Sequence, residues 1–260
     1  MSDSIASQFE PSAEISHPRF FVNTSDFQIP SATIRSEEAH HLKKVLRLRL
    51  GDAVTVIDGL GREGQGTVED ILKDTVLCRI HKISKNLSEP MLRIALAQAV
   101  PKGLKMDEVI EMGTQLGIRE FYPMFSRYCV GRPSESQGYA KIKRWVRIAK
   151  SALKQCEGAI LPTVHDFVNF EDVLQRKHQY DLVLAAENRN GTRQLKTVLK
   201  EERSFGSILL LIGPEGGFAS EEIERLSELN IQLVSLGKRR FRTELAGVIG
   251  AAMLMYEREM

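Results

Sequence analysis

The sequence predicts two units, a small and mostly β domain followed by an α/β domain built on a mostly parallel sheet. Three observations carry that expectation. Residues 19–84 hold short β-like runs broken by turn residues, with one helical stretch among them. From Met91 onward strand-like and helical segments alternate regularly, which is the pattern of successive βα units. One of those runs, Ser207–Ile212, is apolar throughout after its first residue, as a strand covered on both faces must be.

Taken in order, residues 1–18 are polar and acidic, without the basic and apolar stretches of a secretory signal, and read as a flexible tail. Arg19-Phe20-Phe21-Val22 opens the β domain. Ser36 stands where it can cap a helix, with Glu37 and Glu38 in the first turn and Ala39, Leu42 and Leu46 on one face. Strands follow at 53–57, 66–68 and 75–80. Residues 85–90 are polar, end in Pro90 and read as a linker. In the α/β domain, 91–260, strands are expected at 92–99, 118–125, 160–164, 181–186, 207–212 and 232–236. Helices are expected near 103–116, 139–156, 169–176, 192–202, 219–229 and 243–258. The last of these must bury Val248, Ile249, Met253 and Leu254.

Composition excludes several classes. Hydrophobic residues make up 42% and charged residues 27%, an ordinary globular balance. No apolar run approaches the roughly 18 residues of a spanning helix, so no membrane role is expected. Cys78, Cys129 and Cys156 are odd in number, far apart and without a C-x-x-C pair. They argue against a disulfide framework or zinc site and fit a reducing cytoplasm. His40 and His41 are adjacent, and neighbours on a helix diverge by about 100°, so no metal is expected. The formal net charge is only +2, yet basic residues cluster at Lys141, Lys143, Arg144, Arg147, Lys150 and Lys154, and again at Lys238, Arg239, Arg240 and Arg242. Local basic surfaces of this kind suit a phosphate backbone.

Ligands of open parallel sheets bind beyond the carboxyl ends of the strands, so the loops there carry the chemistry. Gly213-Pro214-Glu215-Gly216-Gly217-Phe218 packs three glycines and a proline into six residues, a backbone that a ligand can approach closely. Ser220, followed by Glu221 and Glu222, is placed to cap the next helix. No Gly-Lys-Ser/Thr follows and the spacing is not G-x-G-x-x-G, so neither a P-loop nor a dinucleotide fingerprint is present. Acidic residues at the helix start also disfavour a phosphate there. The competing reading is a tight strand-to-helix turn. In the second loop, 236–246, Thr243 can cap the terminal helix, and Gly237, Arg242 and Glu244 can present an amide, a cation and a carboxylate together. Its competing reading is a solvated basic turn. Val56-Ile57-Asp58-Gly59-Leu60-Gly61 imitates the acidic, Gly-rich loop of Rossmann-type methyltransferases but leads into another β run, as a hairpin does.

At these two loops the sequence resembles the small-subunit (16S) ribosomal RNA uridine-N3 methyltransferase family. Leu210-Leu211-Ile212-Gly213-Pro214-Glu215-Gly216-Gly217-Phe218 is similar to that family's hallmark, and Leu236-Gly237-Lys238-Arg239 with Arg242-Thr243-Glu244 and Ala246 to its second signature. Further agreement lies in Arg19-Phe20-Phe21-Val22, in His40-His41-Leu42 with Val45-Leu46-Arg47-Leu48, in Lys102-Gly103 with Lys105-Met106-Asp107, in Thr114-Gln115-Leu116-Gly117, and in Lys143-Arg144-Trp145 with Gln155 and Leu161-Pro162. Leu245 stands where the family has a second threonine, Arg240 and Phe241 replace aliphatic residues, and 151–158 departs from the acidic, Gly-containing form.

The resemblance implies a PUA-like β-barrel domain for RNA binding at 19–84 and a SPOUT-type trefoil-knotted α/β domain at 91–260. It also implies a cytoplasmic homodimer formed through the C-terminal domain, with no metal. The activity implied is S-adenosylmethionine-dependent methylation of uridine N3 in 16S ribosomal RNA of the small ribosomal subunit. Cofactor contacts would come from Leu184, Ala185 and Ala186, from Ile212, Gly213, Pro214, Glu215, Gly216 and Gly217, and from Leu236, Gly237, Phe241, Arg242 and Thr243. Arg242 would stabilise the developing uridine anion, with Glu244 or Glu215 as base. RNA contacts would come from Arg19, Lys43, Arg47, Lys102, Lys105, Arg127, Lys143 and Arg144. The alternatives are a SPOUT enzyme acting elsewhere on RNA, such as a ribose 2′-hydroxyl, a non-catalytic RNA-binding protein, and a Rossmann-type dinucleotide enzyme.

Overall fold

The structure, a computed structural model, describes residues 17–85, 89–129, 131–189, 191–202 and 204–259. The expected tail up to residue 16 and residues 86–88 of the expected linker lie outside them. Two compact units result, one built on residues up to Ile57 with Glu63–Ile83, the other on Asp58–Arg62 and Ser84 onward.

The first unit is a six-stranded sheet in the order β1-β4-β5-β6-β3-β2. Its elements are β1 (Arg19–Phe21), β2 (Phe27–Gln28), β3 (Ser31–Arg35), α1 (Ser36–His40), β4 (Ala53–Ile57), β5 (Arg62–Ile71) and β6 (Thr75–Lys85). In β6 the two-residue period is plain: Val76, Cys78 and Ile80 are buried while Leu77 and Arg79 are not. They join Phe20, Ile34, Leu42, Val54 and Val56 in one core. Burial, with the Glu69 carboxylate, pushes the Cys78 thiol up to about 12, which leaves it unreactive. β4 and β5 form an antiparallel hairpin. Asp58 organises its turn, accepting from the N–H groups of Leu60 at 2.8 Å and Arg62 at 3.1 Å and from Arg62 Nε at 2.6 Å.

Two expectations here are corrected. Ser36 does not cap α1. Its φ is +52° and it lies inside the helix, with extended Arg35 before it and no side-chain cap. Leu46 is 40% exposed, because α1 runs into a π-helical turn, His41–Leu46. Wider winding takes the fourth residue after Leu42 off the buried face. The strand β3 was not expected at all.

The second unit is an eight-stranded sheet in the order β10-β8-β7-β13-β11-β14-β12, with β9 also on β8. Each strand pair is parallel. The elements are β7 (Arg93–Ala99), α2 (Lys105–Gln115), β8 (Glu120–Phe125), α3 (Glu135–Gln155), β9 (Thr163–Val164), β10 (Val168–Asn169), α4 (Phe170–Leu174), β11 (Leu182–Ala186), β12 (Arg193–Gln194), α5 (Leu195–Glu201), β13 (Ser207–Ile212), α6 (Ser220–Glu228), β14 (Gln232–Ser235) and α7 (Thr243–Glu259). Strand alternation splits the interior into two cores. Ile208, Leu210 and Ile212 of β13 pack with Met106, Ile110, Trp145, Val198 and Leu254, while Leu209 and Leu211 pack with Phe170, Val173, Phe218 and Leu226. β13 is thus covered on both faces, the condition for a parallel strand.

The terminal strands β10 and β12 have two residues each; β12 falls inside the segment 192–202 expected to be helical, and β10 lies at the start of the one expected at 169–176. α3 starts four residues before its expected position. The reason is a capping box, in which Gln137 N–H donates to Ser134 Oγ and Ser134 N–H to Gln137 Oε1 at 3.1 Å. Ser220 is the first residue of α6 and not its cap. Extended Ala219 precedes it, and Glu222 reaches back to the Ala219 N–H at 2.8 Å. In α7, Leu254 is fully buried, but Met253 remains 37% exposed.

A polar cluster ties the amino ends of several strands. Glu120, the first residue of β8, accepts from His165 Nε2 and from Tyr122 OH, each at 2.9 Å, and from Tyr180 OH at 3.4 Å. The His165 ring stacks on Tyr122 with centroids 4.0 Å apart. The hydrogen bond from His165 outweighs burial and, with those from Tyr122 and the charge of Arg93, holds the Glu120 carboxyl below its ordinary value of 4.5. A depressed carboxyl stabilises the fold above its unfolded-state pKa and loses that contribution as pH falls through the folded one. Glu120→Gln should therefore cost stability at about pH 6 and cost progressively less toward about pH 3. Urea unfolding of both proteins across that range checks this, and a pH-independent difference would contradict it.

Candidate functional site

β11 lies between β13 and β14 in the sheet, so the loops after all three emerge side by side at their carboxyl ends. They enclose a cavity of about 600 Å³. The β11 loop contributes Ala186, Glu187, Asn188 and Arg189 to its walls, and the β13 loop contributes Ile212, Gly213, Pro214, Glu215, Gly216 and Gly217. The loop before α7 contributes Leu236, Gly237, Arg239, Arg240, Phe241, Arg242 and Thr243, and Ala246 and Lys105 complete the lining.

A buried hydrogen-bond chain fixes two of these loops. Gln98 on β7 is fully buried, and its Nε2 donates to Thr243 Oγ1 at 2.8 Å and to Ala99 O at 3.1 Å. Thr243 Oγ1 donates to the Gly213 carbonyl at 2.6 Å. The threonine hydroxyl expected to cap α7 therefore binds the neighbouring loop instead. The β11 loop is fastened as well. Glu187 Oε2 accepts from Phe218 N–H at 3.3 Å, and Arg189 Nη2 donates to the Phe218 carbonyl.

The glycines have separate reasons to be there. Gly217 has φ +74°, a conformation that favours glycine, and its N–H closes the turn onto Pro214 O at 2.9 Å. A Cβ on Gly213 would lie 3.1 Å from the Gly217 carbonyl carbon and 3.2 Å from Phe218 N, so the loop folds back on itself too tightly for a side chain.

All three loops and α2 bring charged residues to the lining. Lys105, the first residue of α2, places Nζ 3.6 Å from Glu215 Oε1 and 3.3 Å from Glu244 Oε2. Glu244 is 7% exposed and is not among the residues that line the cavity. Burial raises Glu215, but the N–H groups of Glu215 and Lys102 and the charges of Lys105 and Lys102 outweigh it, so its carboxyl titrates below the usual range.

Of the residues the sequence singled out for a cofactor, Leu184 and Ala185 do not reach the cavity. They are fully buried inside β11, one in each core. The others line it. Lys105, expected at the RNA surface, sits in the cavity. Among the remaining RNA candidates, Arg19 pairs with Glu63 at 2.8 Å and its side chain is 9% exposed, so it offers little to a phosphate. Arg144 is held by Asp107 Oδ2 through Nε at 2.9 Å and Nη2 at 2.7 Å, while Trp145 Nε1 takes Asp107 Oδ1 at 3.0 Å. That trio ties α3 to α2. Lys43 donates to the carbonyls of Leu72 and Lys73, and Lys143 lies 4.4 Å over the Tyr139 ring. Arg47, Lys102 and Arg127 are exposed.

Sequence reasoning missed Gln98, Glu187, Asn188 and Arg189. A lone amide in the apolar run of β7 was the signal for the first. The position directly after the strand at 181–186 was the signal for the others.

Thr243→Val keeps shape but leaves the Gly213 carbonyl without the Thr243 hydroxyl and one Gln98 Nε2 proton without an acceptor, the other still donating to Ala99 O. Each buried unsatisfied group costs about 1–3 kcal/mol. Urea unfolding should show a loss of that order for valine, and a smaller one for Thr243→Ser; equal stability of the valine variant would refute the clamp.

The RNA methyltransferase domain family matches residues 88–255, and the RNA methyltransferase PUA domain family matches residues 34–81. A ribosomal RNA small subunit methyltransferase E of Bacillus subtilis is 29% identical over 93% of this chain and 97% of its own length. The protein of that name from Synechocystis is 31% identical over 86% of this chain and 72% of its own. A Legionella pneumophila methyltransferase solved with bound cofactor SAM superposes with TM-score 0.83 at 26% identity, covering 94% of this chain and 98% of that one. The ribosomal RNA small subunit methyltransferase E of Neisseria gonorrhoeae, bound to S-adenosyl methionine, superposes with TM-score 0.82 at 26% identity, covering 93% and 98%. With a matching domain that spans most of its length, and relatives aligned nearly end to end, the chain belongs to the RNA methyltransferase family.

Proposed function

We propose that this protein transfers the methyl group of S-adenosylmethionine to N3 of a uridine in the 16S RNA of the small ribosomal subunit. The observation that carries the reading is the three-loop cavity, walled largely by glycine-rich backbone and lacking a phosphate-binding loop. The names of the aligned relatives support the RNA and the reaction type, and the two cofactor-bound neighbours support the methyl donor.

The residues present fit such a donor. The cavity volume falls in the usual range for small ligands, about 300–1,000 Å³. Ile212, Leu236 and Ala246 offer apolar surface, and Gly213, Gly216 and Gly217 let backbone amides and carbonyls come close. We assign the holding of the donor to these residues with Ala186, Pro214, Glu215, Gly237, Phe241, Arg242 and Thr243. When bound, S-adenosylmethionine supplies an electrophilic methyl group on a cationic sulfonium.

Uridine N3 carries a proton that must leave as the N–C bond forms and the S–C bond breaks. Glu244 is assigned to accept it, from a buried position beside Lys105. Arg242, exposed at the cavity wall, is assigned to stabilise negative charge developing on the uracil. N3 belongs to the pairing edge, so the target base must be unpaired and splayed out before it reacts. Half-buried Lys43 and exposed Arg47, Lys102, Arg127 and Lys143 are assigned to the RNA backbone. A cytoplasmic location follows from that substrate, and no helix among the described residues is long and apolar enough to cross a membrane.

The reading includes a knotted C-terminal domain divided from the β domain near residues 85–90. What supports the knot is the order of β13, β11 and β14, which sets the two signature loops side by side. It also includes a homodimer. Supporting that, α7 leaves Leu245, Met253 and Tyr256 at 39%, 37% and 67% exposure, an apolar strip that a second copy would cover.

Two measurements test the reaction and one the assembly. Mass spectrometry of unmodified 16S RNA after incubation should map one new methyl group to a uridine N3; no methylated base, or a methylated ribose, would overturn the proposal. Gly217→Val forces a side chain into the left-handed region and places its Cβ 3.2 Å from Glu187 Oε2. It should weaken S-adenosylmethionine binding at least tenfold by calorimetry, a loss of about 1.4 kcal/mol, and unchanged affinity in a folded variant counts against the site. Sedimentation at micromolar concentration should give a dimer, and Leu245→Glu with Tyr256→Glu should give monomers.

A further inference from the structure

We infer that the loop 238–242 is a phosphate clamp, in which Arg239 and Arg240 grip the RNA phosphodiesters flanking the target nucleotide. The inference rests on the reaction proposed above and assigns a recognition role to residues that so far only line the cavity.

Positive charge in the second unit is cancelled at some places and left uncancelled at others. In the second unit, Arg93 pairs with Glu120, Arg119 with Glu89, Arg144 with Asp107, Arg189 with Glu187, Arg193 with Glu201, and Arg225 with Glu171 and Glu228. Arg127 and Arg147 are exposed outside these pairs, and so, as a run of four cations, are Lys238, Arg239, Arg240 and Arg242. All four are exposed, and among the described residues no side-chain hydrogen bond or ion pair engages any of them. Four like charges within five residues repel one another, and no carboxylate offsets them. Such a run is relieved by a polyanion.

Its position selects the polyanion. Arg239, Arg240 and Arg242 line the cavity in which methyl transfer is proposed and are exposed to solvent, so a nucleotide that brings its base into the cavity comes within their reach. A splayed nucleotide exposes the phosphodiesters on either side of it, and the planar guanidinium fork matches two phosphate oxygens at once. The loop is anchored at both ends. Ser235 Oγ accepts from Gly237 N–H at 3.3 Å and donates to Gly237 O at 3.0 Å, and beyond the loop Thr243 is locked to Gln98 and Gly213. The cations are therefore carried on a short span fixed before RNA arrives. The basic helix α3 compares poorly as a clamp, because Arg144 is consumed by Asp107 and Lys143 lies over Tyr139.

The full-length double variant R239Q/R240Q tests the clamp beside a charge-matched control on α5, K196Q/K200Q, two exposed lysines given no part in RNA binding. Binding to an unmodified 16S RNA transcript is measured across a range of salt, and S-adenosylmethionine binding by calorimetry. Each lost phosphate contact lowers the slope of log affinity against log salt by about 0.7–0.9. R239Q/R240Q should lower it by about 1.4–1.8, more than the control does, and leave cofactor affinity within about twofold. An unchanged slope overturns the inference, and so does an equal change in the control. A loss of cofactor affinity with RNA binding intact also overturns it, because the arginines would then serve the donor's carboxylate. Methylation by the wild-type protein is scored separately by mass spectrometry, so failure of the proposed reaction and failure of the clamp are read from different measurements.

Discussion

Thr243 Oγ1 stands between two partners brought together only by the fold. It accepts from Gln98, 145 positions earlier on β7, and donates to the carbonyl of Gly213, 30 positions earlier, just past β13. The rest of the site depends on this pair of bonds. Each backbone and side-chain group involved is buried, and a buried polar group without a partner costs far more than a satisfied one returns. The chain therefore acts as a constraint on register. The β13 loop and the start of α7 must arrive at one separation and one orientation, or the Thr243 hydroxyl and the Gly213 carbonyl go unpaired in the core. Arg242 and Glu244 flank Thr243 directly, so fixing one hydroxyl places a cation and a carboxylate against the glycine-rich loop.

That constraint explains a division of labour within the α7 entry. Thr243 is turned into the protein and cannot also cap its own helix. Glu244, next in sequence, is buried and faces Lys105, while Arg242 on the other side is exposed. A burial this deep for a carboxylate is tolerated because Lys105 lies close. The same ammonium also approaches Glu215 on the β13 loop. Lys105 consequently links the two signature loops electrostatically where Thr243 links them by hydrogen bonds. An RNA contact read from the bare sequence proves to be part of the cavity, because α2 begins there and delivers its first side chain inward.

The layers of the second unit were legible because strand and helix periods differ. Runs such as 207–212 admit only a strand covered on both sides, and the amphipathic stretches between them admit only helices packed on the sheet. Two-residue strands such as β10 and β12 carry no period, and neither was expected. The α3 start was hidden by Gly138 and by serines, although the Ser134-to-Gln137 spacing marked it. Glycine density pointed to the cavity because close backbone approach requires glycine wherever it occurs. Gln98 was invisible for the opposite reason. An amide in the middle of a buried strand has meaning only when its partner is known, and that partner lies far away in the chain. Leu184 and Ala185 show the converse error, since nearness to a strand's end does not turn a side chain out of the sheet.

Charge in the second unit is sorted by distance from the chemistry. Away from the cavity, arginines such as Arg144, which joins α3 to α2, are matched by carboxylates. At the cavity Arg189 is matched by Glu187, and Glu215 on the wall shares Lys105 with buried Glu244, an excess of negative charge suited to a cationic donor and to taking up a proton. Lys238, Arg239, Arg240 and Arg242 have no counterions among the described residues, which suits a polyanionic acceptor. Mixing the two sets would cancel both fields at short range, since oppositely charged side chains within about 4 Å pair with each other before they pair with a ligand. The Thr243 constraint keeps them apart. It pins the point at which the chain passes from the exposed basic loop into the buried start of α7, so the cations remain outside and the carboxylate inside.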